Sequence, residues 1–464
     1  MMESRKIIGR EKELSFLEET YSREGSRFIT ITGRRRVGKT RLINEFLKGK
    51  DHFKVQFEKR RPEANLARFN RTLGENYNIP APNFNSFEDC FRFLKERNAK
   101  LVVLDEFSYL IRYSDQAGAF QTIVDEIVSG SDMMLIVLGS LFTVMKSGLL
   151  EYGAPLYGRS DGTLNLQPLD FGEIREWFPD MDTKDLILVQ SLIGGVPRYL
   201  ELLDGRGDVI DQISDLLFDP NAFLFREVKM IMEEAFDDPS TYFSILEAIS
   251  LGHTKVTRIA NHAYIEPKNA AKYLSNLVDM GVLMKHIPFG HRRGRGIYRF
   301  KDQYFRTWYR FVSDAFEEIE SGEVGGSRDR FMEEYNDLLG MAFEHTCQRI
   351  MPQLLDIRPL RSRPWWKGGE EIDWITTDGK RKVFVEIKWR EISIRDAKSI
   401  FSELERKSSL VDGKSLRDEY AIVCRRADLE KDQLEDGHTV IDLNEIGRIF
   451  GVGHQIEPGE HYQS

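Results

Sequence analysis

Gly33-Arg34-Arg35-Arg36-Val37-Gly38-Lys39-Thr40 is a full G-x-x-x-x-G-K-[ST] run, and residues of these types at this spacing suit one task, the cradling of nucleotide phosphates. The two glycines let successive backbone N–H groups converge on phosphate oxygens, while Lys39 supplies a cation and Thr40 a hydroxyl for Mg²⁺. Downstream, Leu101-Val102-Val103-Leu104 runs into Asp105-Glu106, a carboxylate pair at the tip of a hydrophobic strand. There Asp105 would hold the Mg²⁺ shell, and Glu106 would orient and deprotonate the attacking water.

Other residues stand where such a site needs them, each with a plainer reading beside it. Met133-Met134-Leu135-Ile136-Val137-Leu138 ends in Gly139-Ser140, so Ser140 is either a sensor of the γ-phosphate or the cap of the next helix. Arg159, on the turn Tyr157-Gly158-Arg159-Ser160, suits stabilisation of transition-state charge in cis or from a neighbouring protomer; a surface salt bridge is the alternative. Gly194-Gly195-Val196-Pro197-Arg198 breaks a helical region and either delivers Arg198 towards the nucleotide or makes a helix-to-helix corner. The loop residues Arg34, Arg35, Arg36 and Val37, with Arg41 on the following turn, complete the expected phosphate-binding set.

A second constellation lies near the other end. Asp373, Glu386 and Lys388 read D-x(12)-E-x-K across two strand-like runs joined by the turn Thr377-Asp378-Gly379-Lys380. Strand alternation puts Glu386 and Lys388 on one face, with Asp373 on the antiparallel neighbour. Two carboxylates binding Mg²⁺ or Mn²⁺, and a lysine that helps orient or activate water, are what phosphodiester hydrolysis requires. Ordinary exposed hairpins also alternate acids and bases, and that is the competing explanation.

The elements that must position these groups are legible in outline. Arg27-Phe28-Ile29-Thr30-Ile31-Thr32 predicts a strand before the glycine loop, and Arg41-Leu42-Ile43-Asn44-Glu45-Phe46-Leu47 a helix after it. Past Asp237-Asp238-Pro239, three short amphipathic stretches predict a helix-turn-helix. A hairpin wing should follow, its tip carrying Arg292, Arg293 and Arg295 with no acid between them. Such cations position a nucleic-acid duplex through its phosphates, although a wing can equally serve as a packing surface. The third helix carries Lys268 and Lys272 but few residues able to read bases, so sequence specificity is not indicated.

Composition bounds the rest. A chain of 464 residues exceeds one ordinary core, so several domains are expected. With 41% hydrophobic and 30% charged residues, and no long apolar run, it reads as a globular, cytoplasmic protein without a membrane partner. Cys90, Cys347 and Cys424 are widely spaced and read as buried thiols rather than disulfides or zinc ligands. A net charge of −9 leaves nucleic-acid binding to local basic patches.

Ile8-Gly9-Arg10-Glu11, the glycine loop, the Leu-Asp-Glu-Phe strand, the Pro155-Leu156-Tyr157-Gly158-Arg159 turn and Gly194-Gly195-Val196-Pro197-Arg198-Tyr199-Leu200 together resemble the archaeal-type ATPases of the AAA+/STAND group. That resemblance implies a five-stranded parallel sheet with a helical lid, ATP as ligand, Arg159 as a finger and Arg198 within a second sensor. The C-terminal segment resembles the domain attached to archaeal DEXX-box ATPases, whose fold looks like the PD-(D/E)XK nucleases; this implies that Glu344 is the helix-borne acid of the metal site. The expected architecture is multidomain α/β: a P-loop core over 1–169, a helical lid over 170–236, a winged helix-turn-helix over 237–318, a linker over 319–332 and a restriction-endonuclease-like domain over 333–456. The leading expectation is an ATPase that couples nucleotide state to a DNA-binding wing and a metal-dependent nuclease. A nucleotide-gated switch or scaffold for protein partners is the alternative, and monomer or homo-oligomer stays open.

Overall fold

In the computed structural model, which describes residues 7–140, 142–290, 296–412 and 417–451, five parallel strands form the first sheet. They are β1 (Arg27–Gly33), β2 (Phe53–Gln56), β3 (Leu101–Asp105), β4 (Met134–Gly139) and β5 (Gly162–Leu166), in spatial order β2-β3-β4-β1-β5. β3 and β4 are buried along their whole length, as apolar strands between two helical layers must be. Alternation splits their side chains: Val102 and Leu104 join a phenylalanine-rich core on one face, Leu101 and Val103 pack with Leu42 and Ile43 on the other. Because every strand runs the same way, the glycine loop, Asp105-Glu106 and Ser140 all arrive at the same carboxyl edge.

Helices from Phe171–Trp177 to Phe223–Ala235 follow, over the segment expected as a lid. Next come Ser240–Ser250, Val256–His262 and Pro267–Asp279, then the antiparallel pair β6 (Leu283–His286) and β7 (Ile297–Phe300), in the order expected for the middle module. The tip residues Arg292, Arg293 and Arg295 lie outside the described residues. The hairpin is not free at its base. Phe289 is buried in the C-terminal core, and its N–H donates to the Pro364 carbonyl at 2.8 Å.

The linker expected over 319–332 is mostly helix: a 30-residue helix, Gly325–Leu354, begins inside it. Gly322 lies before it, and Gly325 and Gly326 occupy its first turn. Phe331 then anchors the helix against Phe218 and Phe311, at ring distances of 5.6 and 5.1 Å, which outweighs the local preference for coil.

The last sheet comprises β8 (Arg361–Lys367), β9 (Glu370–Thr377), β10 (Arg381–Ser393), β11 (Arg417–Asp428) and β12 (His438–Ile441), with spatial order β12-β11-β10-β9-β8. β8, β9 and β10 form an antiparallel meander; the helix Ile394–Ser408 then carries the chain to β11, parallel to β10. One hydrophobic core runs from Leu169 in the lid through the middle helices to Val385 and Ile446, so the lid, middle and C-terminal modules are packed as a unit. Among the described residues no helix is long and apolar enough to cross a membrane, and the three cysteines are free and buried.

Candidate functional site

At the carboxyl edge of the first sheet the backbone takes unusual turns. Gly33 and Gly38 have φ of +147° and +102°, and a Cβ on Gly33 would meet the Leu166 carbonyl at 2.7 Å. The helix Lys39–Phe46 starts directly on Gly38, with its free N–H groups at the loop. Lys39 is 5% exposed and donates to the carbonyls of Gly33 at 2.8 Å and Arg34 at 3.0 Å. Burial pushes its ammonium down to about 8, against the pull of Glu106 and Asp105.

Thr40 Oγ1 donates to Asp105 Oδ2 at 3.0 Å, which juxtaposes a hydroxyl and a carboxylate, hard oxygens that fit Mg²⁺. Glu106 sits at φ +52°, a costly conformation for a side chain other than glycine. Its carboxylate accepts from Ser140 Oγ at 2.7 Å, so Ser140 faces the candidate base. Lys54 on β2, at 3.6 Å from Asp105, is a further cation that the sequence reading missed.

The three loop arginines do not point into open solvent. Arg34 pairs with Asp302, Arg35 with Glu234 and Arg36 with Glu227. Two of those acids lie on the lid helix Phe223–Ala235, and the third follows β7. Tyr199, wholly buried, accepts from Arg34 Nη2 at 2.9 Å and donates to Glu227 at 3.2 Å. Burial, then the Arg35 charge, pushes the Arg36 guanidinium down to about 10. Val37 is buried, and its carbonyl accepts from Arg10, which also donates to Gln167 O at 2.7 Å and so ties the loop to the end of β5.

Arg198 and Arg41 both reach Glu201, at 3.1 and 3.5 Å, and Arg198 and Arg36 both lie over the Phe223 ring, at 5.4 and 4.2 Å from its centroid. Arg198 is therefore beside the loop. The Gly-Gly turn before it has a packing cause: a Cβ on Gly195 would stand 1.9 Å from the Leu169 carbonyl. Arg159 is a correction to the finger expectation in cis. It precedes β5, whose Gly162 pairs with Ile29 early in β1, and so lies towards the amino edge, opposite the loop. A fork of bonds to Asp125, at 2.7 and 2.8 Å, and one to the Pro155 carbonyl hold it there.

In the C-terminal sheet, Asp373 and Glu386 come together one step beyond the Val385–Trp374 pair. Asp373 Oδ2 accepts from the Ile387 N–H at 2.7 Å; Lys388 Nζ lies 2.5 Å from Glu386 and 3.9 Å from Asp373. Burial, then the charges of Glu386 and Glu344, pushes the Asp373 carboxyl up to about 7. Glu344 is on the long helix as expected, but Arg299 of β7 draws it to 3.5 Å and Gln348 donates to it at 2.8 Å. Among the described residues, the only three-residue group of acid and histidine ligand atoms closed to within 4.8 Å is Glu405, Glu435 and His438, so Glu344 does not complete a tight set with Asp373 and Glu386. The two remaining carboxylates still fit a hard divalent cation, which often uses no more than that.

Sequence reasoning missed Glu227, Glu234, Asp302, Arg299 and Gln348, and it named Tyr199 only within the Gly194-to-Leu200 segment. No motif marks the first five, since each is placed by tertiary contact. The acidic spacing Glu227…Glu234, seven residues and two helical turns apart on one face, was the available signal.

A family model described as an ATPase domain predominantly from Archaea matches residues 7–203, and one described as archaeal and bacterial proteins of unknown function matches residues 308–400. The uncharacterized protein MJECL04 of Methanocaldococcus jannaschii is 31% identical over 431 residues, spanning 90% of this chain and 96% of its own length. The uncharacterized ATP-binding protein MJ0423 of the same organism is 46% identical over 44 residues, 10% of this chain and 75% of its own. Among solved structures, the Walker-type ATPase PABY2304 of Pyrococcus abyssi is similar at 21% identity and a TM-score of 0.46, covering 66% of this chain and 96% of its own. The ORC2 protein of Aeropyrum pernix is similar at 15% identity and a TM-score of 0.42, covering 69% and 97%.

Proposed function

Because this chain belongs to the predominantly archaeal family of P-loop ATPases just described, we propose that it binds and hydrolyses ATP and passes its nucleotide state to the modules that follow. The observation that carries this reading is the convergence of Lys39, Thr40, Asp105, Glu106 and Ser140 at one sheet edge, with Thr40 on Asp105 and Ser140 on Glu106. Lys39 and the loop amides would bind the β- and γ-phosphates, and Thr40 and Asp105 would hold Mg²⁺, which when bound neutralises phosphate charge. Glu106 takes the proton from the attacking water, and Ser140 keeps its carboxylate aimed. Arg198, beside the loop through Glu201 and Phe223, would sense the nucleotide, and Arg159 would act on a neighbouring protomer.

The test is direct. Lys39→Ala abolishes ATP binding in calorimetry, whereas Glu106→Gln keeps binding and lowers turnover by about 10²–10⁴. Hydrolysis at the wild-type rate by Glu106→Gln removes that residue from the mechanism.

The C-terminal cluster supports a second activity, metal-dependent cleavage of a phosphodiester. Asp373 and Glu386 would hold Mg²⁺ or Mn²⁺, and Lys388 would position the water. The substrate proposed is DNA, met by the exposed Lys268 and Lys272 and by the wing arginines Arg292, Arg293 and Arg295. Plasmid nicking with Mn²⁺ that disappears in Asp373→Ala supports it; equal nicking by the variant refutes it. The burial of Phe289 in the C-terminal core favours the alternative, a scaffold in which the hairpin is a docking element, and loss of DNA retardation on replacing the three arginines separates the two.

A further inference from the structure

A cavity of about 300 Å³ opens beside the glycine loop, and none of the proposed catalytic groups except Ser140 forms its wall. Gly33, Arg34, Arg35 and Ser140 line one side; Lys301, after β7, and Arg349, on the long helix, line the other. Its charges can be accounted for one by one. Arg34 is paired with Asp302, Arg35 with Glu234, and Asp279 with Lys146 at 2.7 Å. Two cations have no ion pair within 4 Å among the described residues, although Asp170 and Glu173 act on Arg349 from farther off. Among the described residues Lys301 donates to the neutral Gln167 Oε1 at 3.2 Å and makes no ion pair, and Arg349 makes no ion pair or hydrogen bond.

Lys301 and Arg349 disfavour each other: burial together with the Arg349 charge lowers the Lys301 ammonium from its ordinary value, while Asp170 and Glu173 act on Arg349, which keeps an exposed surface. The wall also holds two amide oxygens without partners, on Gln190 and Gln303, both nearly fully buried. Two positive charges plus two buried acceptors call for an anion that also carries O–H donors. Hydrogen phosphate is such an anion, and it fits a cavity of this volume with room for water.

The position of the cavity agrees with its chemistry. It meets the proposed catalytic groups at Ser140, whose hydroxyl lies on Glu106, so it begins where a cleaved γ-phosphate would depart. We propose that the cavity is a holding site for inorganic phosphate, gripped by Lys301 and Arg349 after hydrolysis. This deepens the ATPase reading and rests on it. Lys301 directly follows β7 and Arg349 lies on the long helix, and these two elements touch near the carboxylate cluster: Arg299 of β7 and Glu344 of the long helix meet at 3.5 Å, and Gln303 bonds His345 at 2.5 Å. Phosphate in the cavity would therefore bear on the Arg299–Glu344 contact beside the second site.

The experiment uses the full chain carrying Lys39→Ala, so that the glycine loop does not compete, and follows phosphate uptake by calorimetry and ³¹P NMR. One phosphate per chain is expected, with Lys301→Gln and Arg349→Ala each weakening it about tenfold or more and Arg349→Lys retaining part of the affinity. Unchanged affinity in both of the first two variants, or no uptake by the parent chain, overturns the proposal. Glycerol 3-phosphate serves as the second probe: binding as tight as free phosphate would assign the cavity to a phosphorylated metabolite and overturn the product role. ADP binding by the chain with Lys39 intact is measured in parallel. Its absence would remove the ATPase reading, whereas its presence with no phosphate uptake removes only the cavity assignment. Circular dichroism identical to the parent's confirms that the variants are folded.

Discussion

The glycine loop and the C-terminal carboxylate cluster are both concentrations of like charge, but they are balanced from different distances. Arg34, Arg35 and Arg36 take their counter-ions from Asp302, Glu234 and Glu227, which lie in two other modules. Asp373 and Glu386 take theirs from Lys388, two residues along the same strand from Glu386. A site that carries its own counter-ion can change ligand without moving its neighbours. A site neutralised by other modules cannot: a ligand that reshapes the loop must disturb the lid helix and the base of the hairpin together. Nucleotide state is thus expected to be felt beyond the ATPase core, while a metal on the cluster acts locally.

The sharpest way to break this contrast is to remove a distant counter-ion. Glu227 is fully buried, and Glu227→Ala strands the Arg36 guanidinium and frees the Tyr199 hydroxyl. Removing one partner of a buried pair costs about 3–5 kcal/mol, so chemical denaturation should show a loss of that size, with Glu227→Gln losing less. A loss below about 1 kcal/mol would mean that the lid does not depend on the loop.

A somewhat smaller effect is a crossover in ligand affinity. Lys39→Ala should weaken ADP by about 10² or more and leave Mn²⁺ uptake at the cluster unchanged, and Asp373→Asn should do the reverse, each measured by calorimetry. If either variant lowers both affinities, the two sites share more than a wall.

The same difference in distance decides what could be read from the chain. The phosphate loop, the Asp105-Glu106 strand end and the Asp373…Glu386-x-Lys388 hairpin are local patterns, and periodicity was enough to put them on strands and at the right turns. The turn at Asp378 was legible too, because that side chain accepts from Lys380 and Arg381 N–H groups at 2.9 Å. The choice among the readings of Arg159 was not legible, because a motif fixes neither the strand edge on which a turn lies nor the Asp125 that pairs with it. The linker failed for a similar reason: three glycines and several charges predict coil, yet Phe331 had two distant aromatic partners. Glu344 was assigned to the right helix, but its contact with Arg299 came from a hairpin far from it in sequence.

The smallest effect expected is on stability against pH, and it sharpens the comparison because the two sites predict opposite slopes. Burial and neighbouring carboxylates raise Asp373 to about 7, whereas an unfolded aspartate titrates near ~3.9. Between those values the folded chain holds more protons than the unfolded chain, so this contribution is complete below about 4 and is lost as pH rises through about 7. Lys39 is the mirror case: burial lowers it to about 8, while an unfolded lysine titrates near ~10.4. There the unfolded chain holds more protons, so this contribution is present above about 10.4 and is lost as pH falls through about 8. Glu173 is also raised to about 7, by burial and then Asp170, so the wild-type slope alone does not isolate Asp373. The difference between variants does: Asp373→Asn should flatten the lower window and Lys39→Met the upper one. A change of about 2–4 °C in Tm is expected for each kcal/mol involved. Saturating Mn²⁺ should flatten the lower window in the parent chain but not in Asp373→Asn; an equal response from both would place the metal elsewhere, with Glu405, Glu435 and His438 the group to examine next.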